Sequence, residues 1–251
     1  MNSCPNSPEK LVVDHLKKSF DEIPVIDNVS LTMKDKEFVS LLGLSGSGKS
    51  TIFNIISGLM LPDEGEIMID GENFTGVTGR VSYMYQKDLL LPWENIIDNV
   101  SLPLIVKGQQ RKKARSTVAE YFDVFGLKGF ESKYPFQLSG GMRQRAALMR
   151  TFFFTRDIML LDEPSGGLDA ITKSRMQSWL MEVLPTLNAT VLFITHDIEE
   201  AIYLSDRIYI LSDRPAQIKA EITIDFSRPR NRDITTTESF NALKKDILSK
   251  L

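Results

Sequence analysis

The sequence has one cysteine, two histidines, no long apolar run and no surplus of positive charge. Each shortage excludes something. Cys4, in a polar Pro/Ser/Asn-rich lead, has no partner for an internal disulfide. His15 and His196 alone cannot make a Cys/His cluster of metal-ligand spacing. The apolar runs are only a few residues long, as in Ile158-Met159-Leu160-Leu161, and a membrane span takes about 20. No bilayer-crossing segment is therefore expected. Lys and Arg number 30 against 33 Asp and Glu, a formal charge of −3, so a dedicated nucleic-acid module with its basic excess is not expected either. The opening MNSCPNSPEK has no apolar segment of the secretory type, which points to the cytosol. What is present is globular material: 42% hydrophobic and 25% charged residues in 251, enough for one domain with an inserted subdomain or for two small domains.

Residues 1–9 read as a flexible lead. Apolar or alternating stretches at 11–13, 29–33, 38–42, 65–71 and 81–85 read as strands, and 52–59 as a helix stopped by Gly58 and Pro62. From about Asp88 to Thr155 the period becomes helical: Ala114, Val118, Phe122 and Phe125 fall on one helix face, as do Met142, Ala146, Met149 and Phe153. Strand–helix alternation returns at 157–162, near 169–184 and at 190–195. The stretch 207–224 reads as β-structure turning at Asp213-Arg214-Pro215. The expected class is α/β, with a helical subdomain of about 88–155 inserted into a core that extends over 10–229. Residues 230–251 read as a C-terminal tail, and Arg228, Arg230 and Arg232 as a solvated surface.

Gly43-Leu44-Ser45-Gly46-Ser47-Gly48-Lys49-Ser50 fits G-x-x-x-x-G-K-[ST], after an apolar strand and at the start of a helix. Glycines let backbone amides turn inward around phosphates, and the helix N-terminus adds partial positive charge. Lys49 is placed to reach the β- and γ-phosphates of a nucleotide, and Ser50, beside Thr51, to ligate Mg²⁺. The apolar strand at 157–162 ends in two carboxylates. Asp162 can hold Mg²⁺ through water, and Glu163 can polarise a water for in-line attack on the γ-phosphorus. Ser139, followed by Gly140 and Gly141, caps a second amphipathic helix and makes a second anion site. A nucleotide cradled at 43–51 has little use for it in the same pocket. Either two copies pair head to tail, each capping the γ-phosphate held by the other, or this is an ordinary capped helix.

In chain order, GLSGSGKST (43–51), Gln86, LSGGM (138–142), DIMLLDEP (157–164), SGGLDA (165–170) and Thr195-His196-Asp197 resemble the ATP-binding subunits of ABC transporters. The resemblance runs from about Leu11 to Pro229. LSGGMRQR, Leu89-Leu90-Leu91-Pro92-Trp93 and Leu211-Ser212-Asp213-Arg214-Pro215 resemble the nitrate, sulfonate and taurine importers; uptake systems for thiamine pyrimidine precursors are similar too. The family implies a P-loop NTPase (RecA-like) core with an antiparallel β subdomain and an inserted helical subdomain. It implies hydrolysis of ATP with Mg²⁺ by a homodimer, powering import through a separate membrane permease at the cytoplasmic face of the cell membrane. A substrate-binding protein takes part indirectly. A non-transport ABC ATPase is the alternative, though such members carry two cassettes or long insertions that this chain lacks.

By the same resemblance Phe20 stacks on adenine, unless it is simply a core residue. Gln86 touches Mg²⁺ or the attacking water and reports to the helical subdomain. Ser139, Gly140 and Gly141 bind the γ-phosphate held by the second copy, and Asp169 lies in the loop that links the two sites. His196 bonds the γ-phosphate and orients Glu163. Two departures stand out: Gly166 where the family more often has serine, and Phe152-Phe153-Phe154 where small residues are usual. The apolar stretch Leu89–Trp93 is either a folded-back plug or a docking patch. The resemblance places a permease helix in a groove beside it, with Trp93 on the groove wall.

Overall fold

The computed structural model describes residues 9–155 and 157–251, so the rest of the lead, with Cys4, lies outside it. Glu9, read as part of that lead, opens β1 (Glu9–Phe20), which pairs antiparallel with β2 (Ile23–Lys34). Leu11, Val13, Leu16, Val29, Leu31 and Met33 all point into the core. A register shift between Val13 and Leu16, where His15 takes a φ of 48°, returns the inward face to Leu16 after two exposed positions. β4 (Glu64–Ile69) and the short β5 (Glu72–Asn73) complete this sheet in the order β2-β1-β4-β5.

The second sheet is built from β3 (Phe38–Leu42), β6 (Val81–Met84), β7 (Ile158–Asp162), β8 (Thr190–Thr195), β9 (Arg207–Leu211) and β10 (Ile218–Thr223), in the order β10-β9-β3-β8-β7-β6. It is parallel except for the edge strand β10. Every residue of β3, β7 and β8 is buried, as a parallel sheet covered on both faces demands. Alternation splits the strands between two cores. Val39, Leu41, Ile158 and Leu160 pack with the antiparallel sheet and α1 (Lys49–Ile56). Met159, Leu161, Val191 and Phe193 pack with α4 (Gly140–Phe154) and α5 (Ala170–Leu187).

The helical region also holds α2 (Ile96–Val106) and α3 (Arg111–Ala119). The helix read through Phe125 stops at Ala119. Phe122 and Phe125 still reach the core, from turns that close at Gly126 (φ 64°). The segment read as a tail is folded: a 3₁₀ turn (Arg232–Thr236) leads into α7 (Glu238–Lys250), which buries Phe240 and Ile247. Of the three arginines read as a solvated surface, Arg228 is exposed, but Arg230 and Arg232 are not. Arg230 is 4% exposed and donates to the carbonyls of Ile202, Tyr203 and Ser205, at the C-terminus of α6 (Ile198–Leu204). Arg228 donates to Leu204 O there and pairs with Asp206 at 2.8 Å. The last carbonyls of a helix have no partner within it, and these guanidinium groups supply the donors.

Asp98, 5% exposed on α2, ties the helical region together by accepting from Arg115 (2.7 and 2.6 Å) and Arg111 (3.1 Å) on α3. Burial disfavours its charge, but the two guanidinium groups outweigh that and lower its pKa from 3.8 to about 2. Asp98→Asn is therefore expected to cost roughly 1–3 kcal/mol at neutral pH. A folded pKa below the unfolded one gives stability that is complete above about 3.8 and lost as pH falls through about 2. Denaturant melts of parent and variant should converge over that window.

Candidate functional site

The loop 43–48 leaves the buried end of β3 and turns into α1, with Gly46 at φ 83° and Gly48 at φ 103°. Gly48 has a second reason to be glycine, because a Cβ would lie 3.3 Å from the Val25 carbonyl oxygen on β2. Lys49 is 6% exposed and donates to the carbonyls of Gly43 (2.9 Å) and Leu44 (2.7 Å), so its ammonium lies across the mouth of the loop. Burial lowers its pKa, against the pull of Glu163 and Asp162.

Parallel pairing brings the acids to this loop. Leu42 on β3 stands level with Thr195 on β8, and Ile194 with Asp162 on β7. Ser50 Oγ donates to Asp162 Oδ2 at 3.1 Å, and Tyr83 O–H to the same oxygen at 3.2 Å. Burial raises the pKa of Asp162, opposed by those two hydrogen bonds, and burial also pushes the Tyr83 phenol well above its ordinary value. Glu163 holds a left-handed backbone (φ 43°), pinned by its N–H to Ile194 O at 3.0 Å. A non-glycine residue in that region carries strain, often found where a side chain must be aimed. Its Oε1 is 2.8 Å from His196 Nδ1, and its Oε2 accepts from Gln86 Nε2 at 3.2 Å. Gln86 O in turn accepts from Gln144 Nε2 of α4 at 3.3 Å.

Ser45, Gly46, Gly48, Lys49, Ser50, Thr51, Gln86, Asp162 and Glu163 line one cavity of about 280 Å³, and Arg214 joins them. Gly43, Leu44 and Ser47 belong to the same loop and His196 touches Glu163, whereas Ser139, Gly140, Gly141, Asp169 and Phe20 lie elsewhere. Ser139 Oγ caps α4, accepting from Met142 N at 3.3 Å, and Asp169 caps α5, accepting from Ile171 N (3.1 Å) and Thr172 N (3.0 Å). Added Cβ atoms on Gly140 and Gly141 would meet Leu168 and Thr172 at 3.1 and 3.0 Å, so these two helix starts adjoin one another, apart from the loop cavity. Phe20 ends β1 at 42% exposure, which excludes the core reading; its ring lies 5.8 Å from Lys18 Nζ and outside the cavity lining.

Ser50, Asp162 and Gln86 offer hard oxygen donors beside the phosphate loop. Among the described residues there is no group of three His, Cys, Asp or Glu that could hold a metal. The Ser50, Asp162 and Gln86 donor set suits Mg²⁺, which takes few protein ligands and completes its shell with phosphate oxygens and water.

A second cavity, of about 290 Å³, has Leu59, Tyr83, Tyr85, Pro103, Arg150 and Phe154 in its walls. Arg150 donates to the carbonyls of Asp88 (2.6 Å) and Leu89 (2.7 Å), fastening the neighbouring apolar loop. In that loop Leu90 is buried while Leu89 and Trp93 are exposed, Trp93 at 71%. Trp93 does not line this cavity. Phe152 and Phe153 are core residues, whereas Phe154 faces the cavity. At Gly166 a Cβ would lie 2.9 Å from Glu163 O and 3.3 Å from Gln86 Nε2, so the missing serine leaves room for Gln86 to approach Glu163.

Tyr83, Gln144 and Arg214 were not recognised as site residues from sequence. Tyr83 and Gln144 join through the pairing of β6 with β7 and the packing of α4. Arg214 reads as part of a turn and of the Leu211–Pro215 stretch that carries the family resemblance, with no site role attached to it.

A parallel sheet with a glycine-rich loop opening its first helix, and two carboxylates at the end of a strand one removed from that loop's strand, defines a P-loop nucleoside triphosphatase. Comparison with known proteins narrows this. The family described as ABC transporter matches residues 26–166. The formylaminopyrimidine import ATP-binding protein ThiZ of Halalkalibacterium halodurans is 43% identical over 89% of this chain and 88% of its own length. The aliphatic sulfonates import ATP-binding protein SsuB of Bacillus thuringiensis is 38% identical over 94% and 92%. The nitrate import ATP-binding protein NrtD of Synechocystis is 40% identical over 84% and 80%. A solved dimeric post-hydrolysis state of the ATP-binding cassette MJ0796, bound to ADP and Pi, superposes with a TM-score of 0.72 at 31% identity, over 86% of this chain and all of that one. The chain belongs to the ABC transporter family, as an ATP-hydrolysing cassette.

Tyr83→Phe removes one donor from Asp162 and leaves the ring in place. The variant is expected to need several-fold more Mg²⁺ for half-maximal nucleotide affinity, with metal-free nucleotide binding unchanged. Nucleotide titrations at graded Mg²⁺ check this.

Proposed function

We propose that this chain is the ATPase subunit of an importer, peripheral to the cytoplasmic face of the membrane, and that two copies share two Mg-ATP. The observation that carries the reading is Glu163, held by His196 and Gln86 at the mouth of the phosphate loop. The backbone amides of 43–51 and Lys49 bind the β- and γ-phosphates. Ser50 and Asp162, with Gln86, hold Mg²⁺, which neutralises phosphate charge. Glu163 orients the attacking water and accepts its proton, while His196 fixes the Glu163 carboxylate and reaches the γ-phosphate. Phe20, beside the Asp21-Glu22 turn of the β1–β2 hairpin, stacks on adenine.

Ser139, Gly140 and Gly141 stand apart from their own cavity with amides at the start of α4. In a head-to-tail pair those amides close on the γ-phosphate held by the second copy, with Asp169 alongside. The dimeric form of MJ0796 supports this. The import ATP-binding proteins among its relatives support a permease on a separate chain. The cavity beside Leu89–Trp93 suits a short apolar helix of that partner, and a substrate-binding protein delivers cargo to the permease. The cargo is a small polar nutrient of the nitrate, sulfonate and taurine group. The 43% identity to ThiZ favours a pyrimidine precursor as the second reading.

Glu163→Gln is expected to bind Mg-ATP, to lose at least about 100-fold in turnover and to migrate as a dimer in size exclusion with Mg-ATP. Adding Ser139→Arg should return it to monomer; a dimer that persists overturns the shared site. For the permease, Leu59→Glu should abolish co-purification and leave ATP binding intact. Trp93→Ala, outside the cavity lining, should have the weaker effect.

A further inference from the structure

The loop that carries Glu163 and the turn that carries His196 are tied together from behind. Glu200, on α6, is 2% exposed. Its Oε1 accepts from Ser165 Oγ and from Gln177 Nε2 at 2.9 Å, and its Oε2 accepts from Thr195 Oγ1 at 2.5 Å. Ser165 stands two residues after Glu163, and Thr195 immediately before His196. Thr195 Oγ1 also accepts from Asp197 N at 3.0 Å, and Asp197 caps α6 by accepting from Glu200 N at 3.2 Å. The chain of contacts continues outward. Gln177 Oε1 accepts from Arg232 Nη2, which also donates to Ser174 O at 3.0 Å, and the Arg232 guanidinium lies 4.7 Å from the centre of the Tyr203 ring.

A carboxyl group this deep is a costly way to fill space, since an apolar side chain of similar volume needs no hydrogen bonds. What it offers is fixed acceptor geometry for two hydroxyls on separate loops. Those loops present a Glu163–His196 contact of 2.8 Å, one side of which rests on a strained backbone at φ 43°. Strain of that kind persists only where the surroundings over-determine it, and Glu163 N and Ser165 Oγ are two anchors on either side of the bend.

We propose that Glu200 is a positioning residue for hydrolysis: it holds Ser165 and Thr195, and through them sets the separation of Glu163 from His196. Arg232 extends that constraint to the C-terminal segment. The inference rests on Glu163 and His196 being the hydrolytic pair.

Steady-state ATPase kinetics of the full chain, with equilibrium Mg-ATP binding, test it. Misplacing a reacting group by about 1 Å costs about 10²-fold, so Glu200→Ala is expected to lower kcat by roughly 10- to 100-fold while KM for ATP and nucleotide affinity stay within about 3-fold. Glu200→Gln keeps one carbonyl oxygen, and hydroxyls can rotate to suit its amide, so it should recover kcat to within roughly 5-fold of the parent. Thr195→Val removes one hydroxyl at constant shape and Arg232→Ala the outer link. Each should lower kcat about 3- to 10-fold at unchanged KM, and they provide the test even if truncation of Glu200 unfolds the chain. Parent-like kcat in Glu200→Ala, Thr195→Val and Arg232→Ala overturns the proposal. So does a Glu200→Ala loss in which kcat, affinity and melting temperature fall together without rescue by glutamine. Glu163→Gln, measured alongside, separates the two readings. Parent-like turnover there overturns the hydrolytic assignment and the positioning role with it. A dead Glu163→Gln beside an unimpaired Glu200→Ala overturns the positioning role alone.

Discussion

Three buried parallel strands ending level with one another are the constraint on which this molecule depends. β3 delivers the phosphate loop, β7 the two carboxylates and β8 the turn with His196, and the register sets the three side by side. Parallel strands need covered faces, and here alternate side chains serve two different cores. The antiparallel sheet and the helical region are thus the two covers without which the strand ends would not meet. One cover also touches the loop directly, through Val25 against Gly48. The other touches the site through Gln144 and Gln86.

Much of the site was legible because its chemistry is local. The phosphate loop, Asp162-Glu163 and the residues after β8 are short runs whose spacing carries their meaning, and a contiguous apolar strand before each one tells which end of the sheet it occupies. Tyr83 shows where that reading stops. Its hydroxyl meets Asp162 only because β6 pairs with β7 across the whole helical insertion. Glu200 was hidden for a similar reason: in Ile-Glu-Glu-Ala it looks like one more polar position in a first helical turn, and its three donors come from three separate segments.

The same physics explains the misread C-terminus. Three arginines close together resemble a solvated strip, since guanidinium is rarely buried. Arg230 is buried because the end of α6 leaves carbonyls without partners, and several backbone acceptors lower the cost of removing the charge from water. Burial still lowers its pKa to about 10, with Arg228 nearby adding to the effect. The helical stripe from Ala114 to Phe125 errs differently. Apolar spacing continues past Ala119 but the helix stops there, and the aromatic side chains reach the same core from a looser backbone.

The bond from Gln144 to the carbonyl of Gln86 has a mechanical meaning. Gln144 lies five residues beyond Ser139 on one uninterrupted helix, about 7–8 Å along its axis. In a head-to-tail pair, the outer end of that rod rests on the nucleotide of one copy and its inner contact on the glutamine that touches Glu163 of the other. A tilt of the rod by a few degrees alters both contacts at once. If the proposed head-to-tail pairing holds, the two nucleotide sites are arms of a single lever, each loading the other.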